Sequence, residues 1–270
     1  MKFPVNVYVG GVTVSAHQLL EAFAYIAGFL LYQYLRRRSN QGSKLPFLQS
    51  ASIVLGAVMG ALIGAKGLAR LESYPLYHAH LWEARAWIGG KTIVGALSGG
   101  WLGVEAVKRF FNIRNYSADI YVFPVILGIT IGRIGCFLQG LSDQTYGTAT
   151  TLPWGVDFGD RVLRHPTQLY EVIFLALLAA VLYLQLIKGQ VHGCLFSQFM
   201  GFYLGYRFLV EFIKPRFTVV GGLSAIQLAC LLGVAYAVFR RNDDCCTRPI
   251  PQLKKPVPRP RIEPGESRFI

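Results

Sequence analysis

Six ionisable side chains fall inside stretches that are otherwise apolar: Glu21, Lys66, Glu105, Arg133, Arg207 and Glu211. A charge in a low-dielectric segment is costly, so it persists where it pairs, binds or reacts. The two arginines carry the most specific chemistry. A guanidinium is planar and always charged, and its fork makes two parallel bonds to a phosphate or a carboxylate. Arg207 has Tyr203 four residues before it and Glu211 four after, which puts all three on one helix face. Two such arginines with polar neighbours predict a pocket for an anionic lipid headgroup. A plain Arg207–Glu211 tie within the bundle is the alternative, and the two readings are compatible.

A second group is the run His165-Pro166-Thr167-Gln168-Leu169-Tyr170-Glu171. Proline fits the first turn of a helix, and Thr167, Gln168 and Glu171 can meet the unpaired N–H groups there. Capping accounts for part of this run but uses fewer polar residues than it contains. His165 or Glu171 is therefore also a candidate general base, or an orienter of one.

These residues need helices in a bilayer to position them. The chain has 270 residues, 53% of them hydrophobic and 15% charged; a soluble domain carries roughly 25% charged residues. A helix needs about 20 apolar residues to cross a bilayer. Residues 16–35, 47–65, 88–106, 119–138, 170–187, 194–213 and 219–239 supply such runs, the third weakened by glycines, Lys91 and Glu105. The fold expected is all-α: a polytopic membrane protein of about seven transmembrane helices over residues 1–240. Residues 139–166, between the fourth and fifth spans, read as an ordered, aromatic segment capping the outer face. Residues 241–270 read as a basic, proline-rich and disordered cytoplasmic tail. Gly56, Gly60 and Gly64 in the second span, and Gly95, Gly99 and Gly103 in the third, let helix backbones approach closely and predict a compact bundle.

The net charge of +13 follows the topology rather than a nucleic-acid partner. With the N-terminus outside, sixteen of the 27 Lys and Arg residues fall on the cytoplasmic side, as the positive-inside rule expects. The first apolar run reads as a retained span of a multi-pass protein with a cytoplasmic C-terminus. The five cysteines read as buried thiols. They show no zinc-ligand spacing, and no glycine-rich loop follows a strand, so no metal or cofactor is expected.

At its most specific residues the chain resembles the bacterial prolipoprotein diacylglyceryl transferase family. The likeness runs from about residue 16 to 239. It is carried by Gly132-Arg133-Ile134-Gly135 and Phe137 through to Gly147, by the run from His165 to Glu171, by Tyr203, Arg207 and Glu211, and by Gly222-Leu223-Ser224 with Gln227. The resemblance implies a bacterial inner-membrane enzyme. Such an enzyme moves a diacylglyceryl group from phosphatidylglycerol to the lipobox cysteine of a preprolipoprotein and releases glycerol phosphate. It implies Arg133 and Arg207, with Gly132, Gly135, Gly147, Gln168 and Tyr170, on the lipid, and His165, Glu171, Tyr203 and Glu211 in the catalytic group.

The sequence departs from the family pattern at four places. The histidine of the family's Gly-Gly-x-x-x-His segment falls at Val94, which cannot accept a proton. The signature asparagine is Cys136, the following acidic position is Leu141 or Ser142, and a first-span tyrosine falls at Glu21. His78, His80, Glu105 and Asp143 are the nearby groups able to stand in for the histidine. A non-catalytic protein that binds or moves anionic phospholipid would keep the arginines without needing a base, and stays open as the alternative. A transporter is less well supported, since no paired interrupted helices occur in corresponding halves.

Overall fold

The computed structural model describes residues 3–38, 46–77, 90–113, 118–188 and 194–242. The expected tail lies almost wholly outside the described residues, as do His78, His80 and the Cys245–Cys246 pair. Among the described residues there are seven α-helices: α1 (Ala16–Arg38), α2 (Phe47–Tyr77), α3 (Ile93–Phe110), α4 (Val122–Gln139), α5 (Thr167–Ile187), α6 (Leu195–Val210) and α7 (Ala225–Asn242). This is the expected all-α membrane architecture. The helices over Phe47–Glu72, Asp119–Asp143 and Thr167–Ile187 are long and apolar enough to cross a membrane, and Ala225–Arg240 is a shorter apolar helix. The others fall short for visible reasons. Glu105, Lys108 and Arg109 crowd the end of α3, three arginines end α1, and α6 has only 16 residues.

The core lies where α3, α5, α6 and α7 meet, with Val94, Leu175, Leu182, Phe199, Leu204 and Cys230 fully buried. Large apolar side chains on the outer faces, such as Phe29 and Leu30 on α1 and Leu177 on α5, are more than half exposed. That inversion suits a surface solvated by lipid tails. Cys136 and Cys230 are free thiols, as expected, whereas Cys194 is disulfide-bonded.

The glycine ladder joins α2 to α3. A methyl group on Gly60 would lie 2.2 Å from the Gly99 carbonyl oxygen, and one on Gly95 would lie 2.1 Å from that of Gly64. Only hydrogen at these Cα atoms lets the backbones touch, and in lipid such van der Waals contact helps hold helices together.

One end of the bundle is closed by non-helical chain. An N-terminal hairpin, β1 (Asn6–Val9) and β2 (Val12–Ser15), turns at Gly10-Gly11, both at positive φ, the backbone a tight hairpin turn demands. The Val5 N–H donates to Leu138 O (2.9 Å), which ties this hairpin to the end of α4. The segment between α4 and α5 is ordered, as expected. It carries a short pair, β3 (Val156–Asp157) with β4 (Leu163–Arg164), and a buried Phe158 ringed by Phe3, Phe137 and Tyr146.

Candidate functional site

Beneath this cap, three helices bring their charges to one point. α4 supplies Arg133, α5 supplies Glu171, and α6 supplies Tyr203 and Arg207, with Glu211 one turn further on. All five are buried. Glu171 is the hub. Its Oε1 accepts from the Tyr203 hydroxyl at 2.7 Å and pairs with Arg133 Nε at 2.9 Å by charge alone, and its Oε2 accepts from Arg207 Nη1 at 3.0 Å. Arg207 Nη2 reaches Glu211 at a looser 3.6 Å. The expected Arg207–Glu211 pair is thus present, but the closer partner of Arg207 is Glu171.

The polar residues opening α5 are not caps. Pro166 occupies the cap position without a side-chain hydrogen bond to the helix. Thr167 instead donates to Thr145 O at 2.5 Å, Gln168 Nε2 donates to Thr145 Oγ1 at 3.1 Å, and Glu171 is held by the arginines. His165 and Tyr170 sit at the seam between cap and bundle. The Tyr170 hydroxyl accepts from Trp154 Nε1 (2.8 Å) and also lies within hydrogen-bond reach of His165 Nδ1 at 3.2 Å.

Three glycines shape this end. A methyl group on Gly147 would lie 2.5 Å from His165 Cβ and 2.9 Å from the carbonyl oxygens of His165 and Ile213. One on Gly135 would meet His17 Nδ1 at 3.1 Å. Gly132, beside Arg133, faces open space.

Several groups beside this centre were not singled out from the sequence. The Tyr206 hydroxyl faces Glu171, Arg207 and Arg133, and is buried without a hydrogen-bond partner, as are Arg207 Nε and Gln168 Oε1. Lys214 follows the short helical turn Glu211–Ile213 that extends α6. Burial, and then the Arg207 guanidinium beside it, pulls the Lys214 ammonium down to about 8, against the opposing effect of Glu211. The spacing Tyr203, Arg207, Glu211 pointed at this helix face, but Lys214 lies past its end and Tyr206 one position off it. Lys214 also lies near Glu72, so three cations, Arg133, Arg207 and Lys214, face three carboxylates, Glu171, Glu211 and Glu72. Two buried guanidiniums with an unpartnered donor suit a phosphate oxygen.

The groups able to replace the base missing at Val94 separate cleanly. Val94 is fully buried in the core. Glu105 pairs with Lys108 and Arg240 on the far side of α3. Asp143 lies against His17 and Cys136, near Arg133. Neither His17 nor this grouping was visible in the sequence spacing.

Helices with lipid-facing surfaces around a buried guanidinium centre define a polytopic membrane protein. The family model described as prolipoprotein diacylglyceryl transferase matches residues 4–240, and the chain belongs to that family. A phosphatidylglycerol–prolipoprotein diacylglyceryl transferase of Solidesulfovibrio magneticus is 32% identical over 254 residues, covering 87% of this chain and 91% of the relative. Its namesake from Nitratidesulfovibrio vulgaris is 32% identical over 254 residues, covering 88% and 93%. One from Geobacter sulfurreducens is 33% identical over 216 residues, covering 74% and 79%.

Proposed function

We infer that this chain is a transferase of the bacterial inner membrane that takes the diacylglyceryl group from phosphatidylglycerol and moves it to the cysteine thiol of a preprolipoprotein. The observation that carries the reading is the pair of buried guanidiniums from α4 and α6, held together by one carboxylate. Family membership supplies the donor and the acceptor.

In this reading the donor phosphate lies against Arg133 and Arg207, with Lys214 and the Tyr206 hydroxyl beside it. The acceptor sulfur attacks the glyceryl carbon that bears the phosphate ester. A carbon–sulfur bond forms, the carbon–oxygen bond breaks, and glycerol phosphate departs with the electron pair. Negative charge grows on the departing oxygen, and fixed cations in a dry site stabilise it. Glu171 is an orienter and not the base, because both its oxygens are committed to guanidiniums. Tyr203 holds the Glu171 carboxylate in place and Glu211 steadies Arg207. His165, with Tyr170 and Gln168, fixes the cap over the lipid, while Gly132 and Gly135 keep room beside Arg133. The orientation that agrees with the charge distribution is seven spans with the N-terminus outside and the tail in the cytoplasm.

The test is phosphorus NMR of the protein in phosphatidylglycerol vesicles with a lipobox peptide. Glycerol phosphate should appear only when peptide is present, and should vanish in Arg133→Ala and Arg207→Ala. Bound lipid with no release under any condition would overturn the reading in favour of a lipid-binding protein.

A further inference from the structure

The acceptor half of the reaction needs a way to make a thiolate, and Val94 offers none. A different group stands beside the arginine centre. A ring nitrogen of His17, at the start of α1, the Sγ of Cys136 on α4 and a carboxylate oxygen of Asp143, just past α4, all lie within 4.8 Å of one another. In a tetrahedral zinc site, bond lengths near 2.0–2.3 Å place such ligand atoms about 3.4–3.6 Å apart. Modest side-chain adjustment would close the trio onto an ion.

The surroundings are those of a metal site. His17 Nδ1 is buried without a partner on the side facing Gly135, while Nε2 lies 3.8 Å from Glu21. Asp143 is steadied in turn, because Thr145 Oγ1 donates to its Oδ2 at 2.5 Å and Gln168 donates to Thr145. Arg133 Nη1, 3.9 Å from Cys136 Sγ, supplies a cation beside the sulfur.

The geometry points to a zinc-type cation held by His17, Cys136 and Asp143, with an open fourth position that takes the acceptor thiol. One nitrogen, one sulfur and one oxygen ligand make a borderline donor set suited to zinc, and three protein ligands are the pattern of a reactive rather than a structural site. A thiol that coordinates zinc loses its proton outright. The ion therefore does what the missing histidine cannot: the thiol proton is released on coordination, and the thiolate sulfur is presented to the glyceryl carbon. One guanidinium, that of Arg133, spans the space between this trio and Glu171, so the nucleophile and the phosphate leaving group sit on adjacent sides of a single residue. This inference rests on the transferase reading for its purpose, but the binding site stands on its own residues.

The test uses cobalt(II) as the metal probe, added to the untagged, chelator-treated full chain in detergent. A one-to-one complex is expected, with the intense near-ultraviolet band of sulfur-to-cobalt charge transfer and the visible bands of a tetrahedral ion. Cys136→Ala should abolish the charge-transfer band, and His17→Ala and Asp143→Asn should weaken binding at least tenfold. His17→Cys, which keeps a ligand, should restore binding with an altered spectrum. Phosphatidylglycerol binding, measured in parallel, shows that each variant is folded. No cobalt–sulfur band in the wild type, or a band unchanged in folded Cys136→Ala, would overturn the site. Peptide modification at full rate by metal-stripped protein would overturn the metal's role and leave the transferase reading intact. Cobalt binding as predicted, with no transfer by the zinc-loaded protein, would sink the transferase reading and leave the metal site standing.

Discussion

Replacing Glu171 with glutamine separates an orienting carboxylate from a proton-abstracting one. In the structure this side chain pairs with Arg133 and Arg207 at 2.9 and 3.0 Å and accepts from Tyr203 at 2.7 Å. Glutamine keeps the shape and one acceptor oxygen but removes the charge that balances two buried guanidiniums. Breaking one buried pair by removing a partner costs about 3–5 kcal/mol, and here one change breaks two pairs. For a chain of this size even one pair's loss corresponds to a fall in Tm of roughly 6–20 °C, and the loss of both should reach at least that. An anionic headgroup can supply the missing charge, so phosphatidylglycerol should raise the Tm of Glu171→Gln more than that of the wild type. Uncharged or zwitterionic lipid should not. The assay is thermal unfolding in mixed micelles with each lipid in turn. A variant that melts like the wild type and binds phosphatidylglycerol equally well, yet forms no product, would refute the orienting role and make Glu171 the base.

Arg207→Ala should weaken phosphatidylglycerol binding by about 2–5 kcal/mol, roughly 30-fold to a few thousand-fold, read by lipid titration; Arg207→Lys should not rescue it, because an ammonium lacks the planar fork. Lys214 sets a pH dependence. Its ammonium is pulled down to about 8 from an ordinary 10.5, so it is charged below pH 8 and adds to phosphate binding there. Affinity should fall as pH rises through about 8, and Lys214→Met should flatten that fall. Gly147→Ala forces a methyl to 2.5 Å from His165 Cβ and should cost about 1–3 kcal/mol in thermal unfolding. Gly99→Ala drives a methyl to 2.2 Å from the Gly60 carbonyl and should lower Tm, whereas Gly67→Ala meets nothing within 4 Å and should leave it unchanged or slightly higher.

The fold was largely legible because bilayer helices announce themselves by length and composition. The glycine repeats announced close helix packing for the same reason, since a period of four is visible locally, but not that α2 and α3 are the two partners. The hairpin at Asn6–Ser15 was overlooked, although Val-Asn-Val-Tyr-Val, Gly-Gly and Val-Thr-Val-Ser alternate as a strand pair should. At the site, the i, i+4 spacing of Tyr203, Arg207 and Glu211 identified the right helix face. The hub carboxylate was harder to recognise, because Glu171 looked like part of a helix start and its partners lie 36 and 38 residues away. His17 was missed altogether: it meets Cys136 and Asp143 only through the packing of α1 against α4, which no local spacing records. Residues joined along one helix could be read from order alone, and residues joined across helices could not.

In the proposed reaction a lipid held by Arg133 and Arg207 is transferred to sulfur. Mass spectrometry of a lipobox peptide, recovered after incubation with the protein in phosphatidylglycerol vesicles, tests this most directly. One diacylglyceryl increment is expected on the cysteine as a thioether, absent when the cysteine is replaced by serine and absent with Arg133→Ala or Arg207→Ala. An unmodified peptide from vesicles in which the wild-type protein demonstrably binds phosphatidylglycerol would contradict it.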